Sequence, residues 1–181
     1  MIAYARANPG KVTMASLGTG STPHVSGELF KMMAGIDMIH VPYRGGGQVM
    51  TDLIAGQVQV SFIGLTVAIE HIRSGKLRAL AVASATRTDV LPDVPTVGDF
   101  VPGYEAVAFW GIGAPRNTPA EILDRLNREI NAGLSDRQLM SRLADGGGTV
   151  LAGSPADFGK FVGDETEKWA KVIKFARIRP E

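Results

Sequence analysis

Short apolar runs alternate with amphipathic runs between residues 11 and 84, and this alternation limits the chain to few folds. The apolar segments 12–15, 38–43, 58–63 and 77–83 are typical of β-strands, and the three segments between them have apolar residues at helical spacing. Strands that alternate with helices predict a parallel sheet. Since 77–83 is almost continuously apolar, we expect that strand to be buried on both faces.

The first strand-to-helix connection, residues 16–24, has the sequence Ser-Leu-Gly-Thr-Gly-Ser-Thr-Pro-His. Gly18 and Gly20 allow positive φ and let backbone N–H groups approach a ligand, and Ser21 or Thr22 is predicted to cap the helix, with the proline as its first residue. A helix N-terminus of this kind is typical of anion binding. The alternative interpretation is a glycine-rich turn that only joins a strand to a helix.

Comparison with two other helix N-termini in the chain favours the anion-binding interpretation. Two later helices begin Thr-Pro-Ala-Glu and Ser-Pro-Ala-Asp, so Glu121 and Asp157 occupy the third helical position, where a carboxylate faces the free backbone amides. In the helix after residue 22 we expect that third position to be Val25. Its N-terminal donors are therefore predicted to be free for a ligand.

Two more connections follow strands, at residues 43–47 and 63–66. Ligands of open α/β sheets bind outside the carboxyl ends of the strands, so these connections and the first one are expected to line one cleft. The histidine at position 24 could face that cleft or pack beside the cap, and Arg44 could pair with a carboxylate or be solvated.

A proline- and charge-rich stretch between about residues 84 and 106 interrupts the alternation, and we expect a boundary between two lobes there. The predicted domains are 1–103 and 104–181. In the second, the pattern predicts strands at 106–114 and 149–151 and helices at 119–134, 136–145 and 155–176.

Composition excludes several classes of protein. The 181 residues carry a net charge of +1 without a basic stripe, which argues against nucleic-acid binding. There are no cysteines, and the three histidines lack metal-ligand spacing, so neither metal nor cofactor is expected. No apolar run is long enough to span a membrane, and residues 1–6 lack the apolar core of a signal peptide. No paired carboxylates, nucleophile elbow or P-loop indicate catalysis.

The chain resembles the extracytoplasmic solute receptors of tripartite tricarboxylate transporters, the Bug-type periplasmic binding proteins. The resemblance covers essentially all 181 residues and depends on the order and spacing of segments at 7–11, 18–24, 27–30, 41–45, 52–58, 75–82, 92–96 and 110–111. It implies a parallel-sheet, three-layer lobe of a type II-like periplasmic binding protein at 1–103. Residues 104–181 would be the C-terminal part of a second, incomplete lobe, whose N-terminal part would precede Met1.

The resemblance implies a periplasmic receptor that captures a small organic anion, a mono- or dicarboxylate, for a membrane permease, without catalysis. The ligand-binding residues it indicates are Ser16, Gly18, Gly20, Ser21, Thr22, His24, Tyr43, Arg44, Gly45, Gly64 and Leu65. The chain departs from the family pattern at Gln59, where aspartate is common, and at 63–67, which replaces a more polar sequence.

Two further expectations follow. The alternative function is an enzyme that acts on a phosphorylated or carboxylated small molecule held at Gly18–Gly20, with His24 as the available acid or base. The chain is also expected to form a homo-oligomer, because an incomplete second lobe leaves apolar helix faces and strand edges without cover.

Overall fold

The computed structural model describes residues 1–145 and 148–179. Three parallel strands, β1 (Thr13–Ser16), β2 (Ile39–Pro42) and β3 (Val60–Ser61), form one sheet in the order β2-β1-β3. In this sheet Thr13 of β1 is opposite Ile39 of β2. The predicted alternation of strands and helices is thereby confirmed for the first three strands.

The helices follow the predicted order. They are α1 (Ile2–Ala7), α2 (Thr22–Ala34), α3 (Gly46–Ile54), α4 (Leu65–Arg73), α5 (Ala120–Leu134), α6 (Arg137–Asp145) and α7 (Pro155–Ala176), with one 3₁₀ turn at Val97–Asp99. In α2 the left-handed Gly35 ends the helix, as its position after the last apolar residue predicts.

Helices cover both faces of the sheet. Neighbouring residues of a strand point to opposite faces, and in β1 Met14 belongs to one buried cluster while Ala15 belongs to another. The first cluster contains Leu29 and Phe30 of α2, and the second contains Val49 of α3. Helices packed against both faces give three layers, and the predicted α/β class is confirmed.

Three predicted strands are absent from the described structure. Residues 77–83 make only an isolated bridge, in which Val82 N–H donates to Pro95 O at 2.8 Å and Val82 O accepts from Val97 N–H at 2.8 Å. Leu80 is half exposed, so this segment is not buried on both faces. The segments 106–114 and 149–151 are also not strands, since neither pairs with a neighbouring strand along the described part of the chain.

The described chain divides into two compact units. The first unit comprises Met1–Ala108 and the chain from Trp169 onward, and the second unit is Phe109–Lys168. In the first unit, Val172 of α7 is fully buried in the cluster around Met14. In the second unit, the Phe109 and Phe161 rings pack edge to face at 4.8 Å. The lobe boundaries expected from the sequence remain a prediction.

Candidate functional site

The connections that follow the three strands lie at the same edge of the sheet, because the strands are parallel. We call them the first loop (residues 17–21), the second loop (43–45) and the third loop (62–64). Tyr43 N–H donates to Ser16 O at 3.0 Å. A Cβ added to Gly46 would lie 3.9 Å from Leu17 Cδ2 and 4.0 Å from Val67 Cγ1, so the first loop and the starts of α3 and α4 converge.

Glycines shape the first loop as the sequence predicts. Gly18 has φ +113° and Gly20 has φ +76°, and residues other than glycine rarely adopt these values. The expectation of positive φ is therefore confirmed. The Ser21 hydroxyl donates to Gly18 O at 2.6 Å, and the Ser21 amide donates to the same oxygen at 3.2 Å. These two bonds close the loop on itself just before α2.

The start of α2 lies one residue earlier than predicted. Ser21 is the N-cap, so Thr22 and Pro23 are the first two helical residues and His24, not Val25, is the third. The Ser21 hydroxyl does not cap the helix, since it is committed to Gly18. Among the described residues, no hydrogen bond is donated by the backbone amides of Thr22 and His24. These are two of the donors that a helix leaves free at its N-terminus.

His24 lies behind the first loop. Its Nδ1 accepts a hydrogen bond from Gly20 N–H at 3.0 Å, which puts the proton of the neutral ring on Nε2. Nε2 lies 3.8 Å from Glu28 Oε1, and the ring is buried. His24 therefore holds the loop through its side chain and does not point its Nδ1 toward a ligand.

No role for His40 is evident from the sequence, but the His40 ring stacks on the His24 ring. The two centroids are 3.6 Å apart and the ring planes differ by 7°. His40 Nε2 lies 2.6 Å from the hydroxyl of the fully buried Ser16, which also accepts from Gly18 N–H at 3.1 Å. The stacked pair thus contacts both glycines of the first loop, one directly and one through Ser16.

The surroundings of the stacked pair favour neutral imidazoles. Burial lowers the pKa of His24 below its usual 6.5, and this effect exceeds that of Glu28, which raises it. Burial, together with the adjacent His24 and Lys31, lowers the pKa of His40 to about 4. Both rings are therefore uncharged at neutral pH.

The second and third loops present helix N-termini rather than charged side chains. The N-caps of α3 and α4 are Gly45 and Gly64, and neither helix has a side-chain cap or an acidic residue in its first turn. Arg44 is exposed, and along residues 1–145 and 148–179 no carboxylate lies within ion-pair distance of its guanidinium.

The Tyr43 hydroxyl is committed to α3, the helix that follows the second loop. It donates to Asp52 Oδ2 at 2.7 Å, and this hydrogen bond raises the pKa of Tyr43. Leu65, the other side chain predicted for these loops, is half-buried at the start of α4.

Three other starts, those of α6, α7 and the 3₁₀ turn, are filled internally. Asp157 accepts from the amide of Ser154 at 3.0 Å before α7, Asp99 accepts from the amide of Thr96 at 3.1 Å, and Asp136 accepts from Leu139 N–H at 2.9 Å.

The start of α5 is not filled internally, so the prediction for Glu121 is wrong: the helix begins at Ala120 after Pro119, has no side-chain cap, and has Glu121 as its second residue. The contrast predicted from the sequence therefore holds between α2 and α7 but not between α2 and α5, and His24, not Val25, occupies the third position of α2. The three helices that begin at the sheet edge keep an uncompensated positive end.

Two apolar side chains at this edge were missed by the sequence analysis. Leu17 of the first loop is 40% exposed and Val67 of α4 is 47% exposed. Both lie against the same face of Gly46. Only the spatial approach of the loops identifies them, because an isolated apolar residue in a turn or at a helix start has no distinctive sequence signal.

The described part of the chain shows neither a group of metal ligands nor a membrane-spanning helix. No group of three potential ligands among histidine and acidic residues could hold a metal ion there. None of the helices described is both long enough and apolar enough to cross a membrane.

Comparison with known proteins gives one consistent result. The model of the family described as "Tripartite tricarboxylate transporter family receptor" matches residues 1–178. Protein BugT of Bordetella pertussis is 35% identical over 175 residues, which are 96% of this chain and 54% of BugT. The chain spans about half the length of the curated relatives that it matches first.

Solved structures agree with this result. Rpa4515 of R. palustris, solved with adipate, is 37% identical with a TM-score of 0.82, over 99% of this chain and 60% of that one. MatC of Rhodopseudomonas palustris, solved with bound malate, is 27% identical with a TM-score of 0.66, over 95% of this chain and 60% of that one.

Proposed function

Because the chain belongs to the tripartite tricarboxylate transporter receptor family, we propose that it holds a carboxylate end of a small organic anion at the first loop. Membership in this family confirms the resemblance found in the sequence. The family consists of receptors, which supports binding and gives no support to the alternative of an enzyme acting on a phosphorylated or carboxylated molecule.

One observation carries the proposal: three helices begin at one edge of the sheet, and none of the three has an internal cap. The amides of Thr22 and His24 at the start of α2 are the donors we assign to the carboxylate, with the Thr22 hydroxyl beside them. The positive ends of α3 and α4 add a favourable potential for an anion. Arg44, the exposed middle residue of the second loop, is assigned to a second carboxylate.

The chemical class of the solute is supported by two relatives, since one was solved with adipate and another with malate. We propose a mono- or dicarboxylate for this chain on that basis. We also propose that the receptor acts in the periplasm, like the periplasmic binding protein BugD, and delivers its solute to a membrane permease. The donor arrangement needs neither a metal nor a cofactor.

The test is a titration of the chain with acetate, succinate, malate and adipate. Binding is monitored through the NMR chemical shifts of the backbone amides, which detect weak binding. We expect shifts concentrated at residues 17–24 and at the starts of α3 and α4. Replacing Ser21 and Thr22 together by alanine removes the hydroxyl that closes the loop and one proposed donor. The expected loss is about 1–3 kcal/mol of binding free energy.

The matched control is Ser154→Ala, which removes a serine before α7 whose hydroxyl bonds to Asp157. This variant should lose some stability and keep its affinity. If none of the four acids shifts any amide at the sheet edge, the proposal is refuted. If the double alanine variant folds and binds as tightly as the parent chain, the carboxylate does not bind at the first loop.

A further inference from the structure

Two imidazoles support the first loop, whereas the starts of α6, α7 and the 3₁₀ turn use carboxylates. His24 is the third residue of α2, and it accepts from Gly20 N–H as Asp157 accepts from Ser154 N–H before α7. A carboxylate in this position would place a negative charge at the positive end of the helix. A neutral imidazole satisfies the amide without that charge. The loop is therefore ordered, and the positive electrostatic potential at the start of α2 that attracts an anion is preserved.

The hydrogen bond depends on the protonation state of His24. Nδ1 accepts from Gly20 only while it carries no proton. Once protonated, Nδ1–H would face the Gly20 N–H group, and two donors cannot bond to each other. Protonation of His24 therefore removes the support of Gly20 directly.

His40 supports the other glycine of the loop through a buried hydroxyl. Its Nε2 lies 2.6 Å from Ser16 Oγ, and that oxygen is 3.1 Å from both the amide nitrogen and the carbonyl oxygen of Gly18. The ring lies flat against His24 at 3.6 Å, a separation at which two positive charges repel strongly. Charging both rings therefore opposes the stacked arrangement.

Charged groups on several elements face the stacked pair. On α2, Glu28 lies 3.8 Å from His24 Nε2 and also pairs with Lys31 at 2.8 Å. The groove beside the rings is further lined by Asp37, before β2, and by Arg177 and Arg179, after α7. Three cations and two carboxylates surround the rings among the described residues, so the surroundings do not supply an excess of negative charge that would favour imidazolium.

We propose that His24 and His40 are positioning residues of the binding site: in their neutral form they hold the glycines of the first loop, and their protonation loosens the loop and weakens solute binding. This inference rests on the proposed function for its effect on affinity. Its structural part, the dependence of the Gly20 environment on His24, does not need a solute. The direction agrees with the lowered pKa values of both rings, since the loss is expected on the acid side of pH 6.5.

The structural part is tested on the chain without solute. The amide shift and the hydrogen-exchange rate of Gly20 are followed from pH 8 to pH 4.5, together with the ring signals of His24 and His40. We expect the Gly20 amide to titrate with the His24 ring, and its protection from exchange, relative to the intrinsic rate of an unprotected amide at the same pH, to decrease in acid. A Gly20 amide that stays unchanged while the His24 ring titrates would overturn the proposal.

Variants separate a positioning role from a merely structural one. His24→Asn places an amide oxygen near the position of Nδ1, accepts from Gly20 and does not titrate. His24→Leu keeps the bulk and removes the acceptor. We expect the asparagine variant to bind adipate at pH 8 within threefold of the parent chain, and the leucine variant to bind at least tenfold more weakly. His71→Gln, at the third histidine, is the matched control and should change neither measurement.

The affinity part uses the ratio of two dissociation constants for adipate, that of the parent chain and that of His24→Asn, at each pH. Protonation of adipate itself cancels in this ratio. We expect the ratio to rise at least fivefold from pH 8 to pH 5, and a constant ratio would overturn the effect on affinity. A titrating Gly20 amide in a chain that binds no dicarboxylate at any pH would instead refute the proposed function and support the link between His24 and Gly20.

Discussion

Gly27 allows α2 to approach the sheet closely, and its replacement by alanine is a sharp test of this packing. A Cβ added to Gly27 would lie 1.9 Å from the sulfur and 2.6 Å from the methyl group of Met14, and 3.3 Å from Phe62 Cδ2. Met14 is fully buried at the centre of β1, and Phe62 packs against the same cluster. Contacts of 1.9 Å do not occur, so Met14 has to move by roughly 1.5–2 Å to restore an ordinary separation.

Two opposing effects decide the sign of Gly27→Ala. Alanine is favoured over glycine inside a helix by about 0.5–1 kcal/mol. Overpacking of a closed core costs about 1–3 kcal/mol and sometimes more, and the atoms that must move belong to the fully buried side chain of Met14. We expect net destabilisation of about 1–3 kcal/mol, which corresponds to a fall in Tm of roughly 3–10 °C in a chain of this size.

Thermal and urea unfolding measure this change, with Gly163→Ala as the matched control. Gly163 lies inside α7, and a Cβ added there would meet no atom within 4 Å. That variant should gain about 0.5–1 kcal/mol from helix propensity alone. Met14→Ala should cost less in the Gly27→Ala background than in the parent chain, because the smaller side chain gives way to the new methyl group. Equal stabilisation by both glycine substitutions would refute the close approach of α2 to β1.

Three further predictions concern stability and assembly. Tyr104→Phe removes the buried hydroxyl that donates to Ser26 O at 3.0 Å and should cost about 1–2 kcal/mol in urea unfolding; an unchanged midpoint would contradict this bond. The fold lowers the pKa of His40 from 6.5 to about 4, so the unfolded chain binds a proton at this residue before the folded chain does. The free energy of unfolding should therefore fall by about 1–2 kcal/mol between pH 6.5 and pH 4, a value reduced for solvent screening. His40→Gln should flatten this dependence of the unfolding free energy on pH. The second unit has no fully buried hydrophobic side chain among its described residues, and Trp110 is 92% exposed, so we expect the chain to self-associate. Light scattering should detect this self-association, which Leu126→Ser should weaken and the control Leu80→Ser should not. A monomer at every concentration would contradict the prediction.

Local pattern was sufficient to predict the elements that build the sheet. The segments around β1, β2 and β3 are short apolar runs followed by glycine and then by helical periodicity, and in each case the structure has a strand followed by a helix. Residues 77–83 and 106–114 carry equally strong apolar runs but form no strand in the described chain. A strand needs a partner with free backbone groups, and apolar pattern does not report whether that partner is present.

The candidate site was predictable only in part, for a similar reason. Glycine and proline have local conformational preferences, so the positive φ of Gly18 and Gly20 and the position of α2 within one residue could be predicted. The stack of His24 on His40 could not, because it joins residues sixteen positions apart through the pairing of β1 with β2. The approach of Leu17 to Val67 likewise depends on the packing of α4 beside the first loop.

The stacked pair explains how the start of α2 can be ordered and yet remain open to an anion. A loop that must present backbone amides needs its other amides satisfied, since an unpaired amide in a partly buried turn costs free energy. The carboxylates that serve this purpose before α7 and at Thr96 would also compete for the positive end of the helix. His24 provides the acceptor without the charge, and burial, with a smaller effect of Lys31, lowers its pKa and keeps it uncharged at neutral pH. The same arrangement makes order in the first loop depend on pH, because the acceptor is a base whose protonation removes the bond.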